Sequence, residues 1–144
     1  MTIISWHCSV LAVMRTIDNQ IVGKLAMVSN ADSAAVPSMT KRGWGRVIFA
    51  APFAHSAISR FGLSSLMCNL AFRHAIRGVT FNEVILAGIG PPKMDVGDSI
   101  VPLVNRWSTH EEVAEVVLMF CRTRFMTAQS LVRSGGLVWS DKIR

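Results

Sequence analysis

Few residues in this chain have the type and spacing to do chemistry. His7, His55, His74 and His110 show no metal-ligand spacing among themselves or with Cys8, Cys68 and Cys121, so no metal site is expected. The cysteines are few, scattered and odd in number, which predicts reduced, mostly buried thiols rather than a disulfide framework. A phosphate cradle for a dinucleotide needs closely spaced glycines that open a helix, where backbone N–H groups can meet the pyrophosphate. Gly23 stands alone in the first forty residues, and the clusters Gly43-Trp44-Gly45 and Gly88-Ile89-Gly90 have the wrong spacing and context. Ser108-Thr109-His110-Glu111 has the form of a capping box, with Ser108 accepting from the Glu111 N–H and Glu111 reaching back. That assigns His110, Glu111 and Glu112 to a helix start, where acids favour the dipole, rather than to a reaction.

The elements that would position such residues alternate. A helix over about Asp18 to Met39 is expected to leave at Pro37 and the Gly43/Gly45 turn. Arg46 to Ala51 reads as a buried strand. Ser56 to Ile76 reads as a second helix, apolar over a broad face and stopped by Gly78. Val79 to Ala87 is the next strand, and Gly88 to Val101 a loop. After the cap, Val113, Val116, Val117 and Phe120 recur at helical spacing, and Ser130 to Val132 forms a short strand. This order argues for an α/β fold with a parallel sheet and crossover helices. The segment 1–14 is apolar, lacks punctuation and receives no element.

Hydrophobic residues make up 51% of the 144, enough for the core of a single domain over 1–144. No apolar run approaches the length of a membrane span, and no secretory leader is evident, so the cytoplasm is expected and a membrane partner is not. The net charge of +6 comes from dispersed Lys and Arg without a basic run. A solvated basic surface is therefore expected in preference to a nucleic-acid groove.

The last third resembles the end of the short-chain dehydrogenases/reductases, a phrase close to "PLGRW-TPEEVAEAVLFLAS…ITGQSLVVDGG". The corresponding text is Pro102-Leu103-Val104-Asn105-Arg106-Trp107, Thr109-His110-Glu111-Glu112-Val113-Ala114-Glu115, Thr127-Ala128-Gln129-Ser130-Leu131-Val132 and Gly135-Gly136. Upstream, Arg42-Gly43-Trp44-Gly45-Arg46-Val47-Ile48 resembles the turn and strand before the family's catalytic serine, and Gly78-Val79-Thr80-Phe81-Asn82 resembles its "GITVN" strand. The similarity runs from Thr16 to Leu137.

What this implies is a partial Rossmann-like parallel sheet with flanking helices, lacking the N-terminal dinucleotide-binding βαβ half. The activity implied is NAD(P)-dependent oxidation or reduction of an alcohol or ketone, with NAD or NADP as cofactor. The family's proton-transfer tyrosine and its lysine correspond to Ser56 and Arg60 of Ser56-Ala57-Ile58-Ser59-Arg60-Phe61, and the supporting asparagine to Asn19. Ala51-Pro52 stand where the serine is expected, and the chain contains no tyrosine. Gly88 and Ile89 fall at the nicotinamide wall. His55, beside this degraded motif, is a conceivable replacement acid/base. The resemblance thus implies an oxidoreductase scaffold that is inactive or fragmentary as this chain. The alternative is a non-enzymatic subunit that forms a homodimer, or pairs with a subunit of the same fold, through the two long helices.

Overall fold

Four strands and three helices alternate in the computed structural model, which describes residues 9–12, 20–52, 57–90 and 102–137. They are β1 (Ser9–Ala12), α1 (Gln20–Arg42), β2 (Gly45–Pro52), α2 (Ala57–His74) with a 3-10 turn at Ala75–Arg77, β3 (Val79–Leu86), α3 (His110–Arg122) and β4 (Gln129–Arg133). The strands make one sheet in the order β1-β2-β3-β4, and every pairing is parallel. This is the expected partial Rossmann-like α/β architecture. The strand β1 lies in the segment the sequence reading left without an element. No helix among the described residues is long and apolar enough to cross a membrane.

β2 and β3 are buried along almost their whole length, as parallel strands covered on both faces should be. Successive side chains point to opposite faces, so each strand feeds two cores. Val47, Phe49, Ala51, Val79 and Phe81 pack against Val36 and Met39 of α1 and Leu63, Met67, Leu70 and Ala71 of α2. Ile48 and Val84 face the other way and pack against Phe120 of α3, with Val116, Val117 and Leu131 around it.

The two helix-to-strand turns lock together. Gly43 and Gly78 both have left-handed backbone, with φ of 66° and 78°. A Cβ on Gly78 would lie 2.1 Å from the Gly43 carbonyl oxygen, and the Gly45 N–H donates to the Gly78 carbonyl at 3.1 Å. Only glycine allows both the left-handed turn and that approach. Pro37, expected at the exit of the first helix, instead lies inside α1, which continues to Arg42. Proline removes one backbone donor there, but Val36 and Met39 on either side are 2% exposed and hold the helix to the sheet.

Two buried polar residues fasten the sheet. Asn82 donates from Nδ2 to the Met126 carbonyl at 3.0 Å and accepts from the Gln129 N–H at 3.2 Å, so β3 sets where β4 begins. The Glu83 carboxylate is fully buried, and its Oε2 accepts from the hydroxyls of Ser64 on α2 and Ser130 on β4, at 2.6 and 2.7 Å. The cysteines depart from expectation. Cys68 is an exposed free thiol on the outer face of α2, and Cys121 is disulfide-bonded.

Candidate functional site

The residues that follow β3 and those that precede α3 meet at the carboxyl ends of β3 and β4, the side of a parallel α/β sheet where ligands bind. A cleft of about 210 Å³ opens there, lined by Ala87 and Gly88 after β3, Pro102, Val104, Arg106 and Ser108 before α3, Glu112 in its first turn, and Arg133, Ser134 and Gly135 at the end of β4.

Its walls are held by backbone bonds. The Ser108 N–H donates to the Gly88 carbonyl at 2.7 Å, and the Gly90 N–H to the Ser108 carbonyl at 2.8 Å. Ser108 is thereby a bridge residue paired with Ile89 and is not free to cap the helix. The capping box is shifted by one residue from the expected frame. Thr109 Oγ1 accepts from the Glu112 N–H at 3.3 Å, and the Glu112 carboxylate accepts from the Thr109 N–H at 3.0 Å.

Glu112 is the electrostatic centre of the cleft. Arg106 grips it through both terminal nitrogens, and Arg133 Nη2 donates to Oε2 at 3.1 Å. The Arg106 fork, then the Thr109 N–H, hold the Glu112 carboxyl far below the usual carboxylate range, so it is ionised at every ordinary pH. The same pairing raises Arg106 above its ordinary value. Two guanidiniums share one carboxylate, and the cluster keeps a net positive charge.

Solved structures reproduce this arrangement of sheet and helices. The TT0495 protein from Thermus thermophilus superposes with a TM-score of 0.77 at 22% identity, over 92% of this chain and 68% of that one. A short-chain dehydrogenase/reductase family protein gives 0.69 at 22%, over 90% and 66%. This is the fold of the short-chain dehydrogenases/reductases. A gluconate 5-dehydrogenase of that fold from Burkholderia cenocepacia, solved with NADP and tartrate, gives 0.74 at 16%, over 91% of this chain and 64% of its own. The chain spans roughly two thirds of the length of each. No protein-family model and no curated protein matches the sequence.

Of the residues that the short-chain dehydrogenase/reductase resemblance singled out, Gly88 lines the cleft, and Ile89 lies beside it, half-buried. Asn19, Ser56 and His55 lie outside the described residues. Arg60 falls in the first turn of α2, with its side chain outside the description. The Gly88–Gly90 loop is a poor fit for a dinucleotide. A Cβ on Gly88 would lie 3.2 Å from the Trp107 ring, and its carbonyl and the Gly90 N–H are both committed to Ser108. Both glycines serve left-handed backbone (φ of 69° at each), and Gly88 also serves close packing.

Sequence reading missed Arg106, Glu112 and Arg133 as a unit. The Thr109-x-x-Glu112 frame was visible, but nothing in the sequence ties Arg133 to a carboxylate 21 positions away.

Proposed function

We propose that this chain is the rear scaffold of a short-chain dehydrogenase/reductase, the NAD(P)-dependent class that oxidises alcohols or reduces ketones, and that by itself it does not carry out that reaction. The observation that carries the reading is the coincidence of the fold with the family's closing phrase in a chain without a tyrosine. A phenol titrates near pH 10, and a serine hydroxyl such as that of Ser56 is a far weaker acid. Arg60 at the lysine position stays charged and cannot share a proton. In the Gly88–Gly90 loop the Gly88 carbonyl and the Gly90 N–H are engaged by Ser108. Calorimetry of the purified chain with NADH and with NADPH is expected to give no binding heat. Micromolar affinity for either would overturn the reading. A cytoplasmic setting goes with it, and the disulfide at Cys121 is the observation that speaks against that setting.

A second reading, a dimerising subunit without catalysis, is favoured by one feature. Phe61, Phe72 and Ile76 are 65%, 88% and 93% exposed along one side of α2 and its 3-10 extension, with Cys68 between them. Apolar surface of that extent on a helix face favours association. Light scattering during gel filtration is expected to report a dimer, and Phe72→Glu a shift toward monomer. A clean monomer for the unaltered chain would remove this reading.

A further inference from the structure

We propose that the cleft at the carboxyl ends of β3 and β4 binds a small oxyanion, the carboxylate or phosphate group of a small molecule, on the unshared N–H edge of Arg133, with Arg106 as the second cation. The proposal goes beyond the dehydrogenase reading and does not depend on it.

One carboxylate, Glu112, faces two guanidiniums, and among the described residues no other acid lines the cleft. Glu111, next in the helix turn, is exposed, and backbone and Thr109 hydrogen bonds lower its own titration. A structural ion pair would be complete with Arg106 alone, which already forms the two-point fork. Arg133 is surplus to it.

Among the described residues the Arg133 guanidinium donates once, from Nη2. Arginine carries five N–H donors in a planar array, and its remaining edge matches the two oxygens of a carboxylate or phosphate. The side chain is 17% exposed and stands at the wall of the cleft rather than in open solvent. Ser134 beside it is 9% exposed and adds a hydroxyl to the same wall. Pro102 and Val104 add apolar surface to the rest of the lining. A volume of about 210 Å³ accommodates a small molecule that bears such a group.

An incoming anion and the Glu112 carboxylate want the same donors. Removing the Glu112 charge should therefore tighten anion binding, whereas removing Arg133 should weaken it. A purely structural cluster predicts neither effect.

The test is a titration of the full chain with inorganic phosphate and, separately, with acetate, at constant ionic strength against a chloride control. The readout is the backbone amide NMR shifts of Gly88, Ser108, Ser134 and Gly135. Saturable shifts at these positions are expected, and the anion giving the lower midpoint identifies the preferred group. Arg133→Gln should raise the midpoint at least ten-fold, and Glu112→Gln should lower it several-fold. Should Arg133→Gln fail to fold, Arg133→Lys, which keeps the charge and loses the planar donor edge, carries the same comparison. The proposal is overturned if neither anion gives saturable shifts beyond the chloride control. It is overturned equally if the shifts persist unchanged in the folded Arg variant, or if Glu112→Gln leaves the midpoint where it was. Cofactor calorimetry reads a different property, so either proposal can fail without the other.

Discussion

Ala128 has a φ of 58°, a left-handed conformation that costs a residue with a Cβ about 1–2 kcal/mol. It is held there because its N–H donates to the Phe81 carbonyl at 2.7 Å, just before β4 joins the sheet. In the resembling phrase "ITGQSL" this position is a glycine. Ala128→Gly is therefore expected to stabilise the fold by about 1 kcal/mol, a rise in Tm of about 2–4 °C for a domain of this size, measured by calorimetry. Asn82 gives the opposite expectation. Its amide satisfies one carbonyl and one N–H on the segment leading into β4, and it is fully buried. Asn82→Ala strips both partners at once and should cost about 2–3 kcal/mol in denaturant unfolding. The sequence reading placed Asn82 within the "GVTFN" strand, but its bonds to residues 44 and 47 positions away were invisible there. Amide bonds across that separation leave no local pattern.

At the scale of elements, the start of α3 carries a pH dependence. The fold depresses the Glu112 carboxyl below its ordinary value, chiefly through the Arg106 fork. The folded chain thus binds fewer protons there than the unfolded chain does, and stability rises with pH across the interval between the two values. The contribution is whole at neutral pH, begins to fall as pH drops through the ordinary carboxylate range, and is lost once Glu112 protonates in the fold. Thermal melts from pH 7 down to pH 2 should show a shallower acid decline for Glu112→Gln than for the parent chain. The existence of α3 was legible from its apolar period, and its capping frame was not. Both Ser108-x-x-Glu111 and Thr109-x-x-Glu112 satisfy the motif. The choice fell to Thr109 because the Gly88–Gly90 loop claims the Ser108 backbone. Pro37 is the same lesson in reverse. Proline ends most helices, but one flanked by two buried anchors is carried through.

For the whole molecule, the connections β2→β3 and β3→β4 step in the same direction across the sheet but cover opposite faces, α2 on one and α3 on the other. They are therefore of opposite hand. Parallel crossovers are right-handed in nearly all proteins, so one of these two departs from that rule. Before α3, Pro102, Val104 and Arg106 meet Arg133 and Ser134 at the strand ends and make the cleft. The sequence by itself determined the alternation of elements, the parallel sheet and the turns at Gly43 and Gly78, because periodicity and left-handed glycines act over a few residues. It missed β1, since a four-residue strand in an apolar segment is defined by its partner β2 and not by its own pattern. Tertiary structure alone decided which charges meet around Glu112 and which residue caps α3. Those outcomes depend on where a long crossover lands against the sheet, and no spacing along the chain encodes that position.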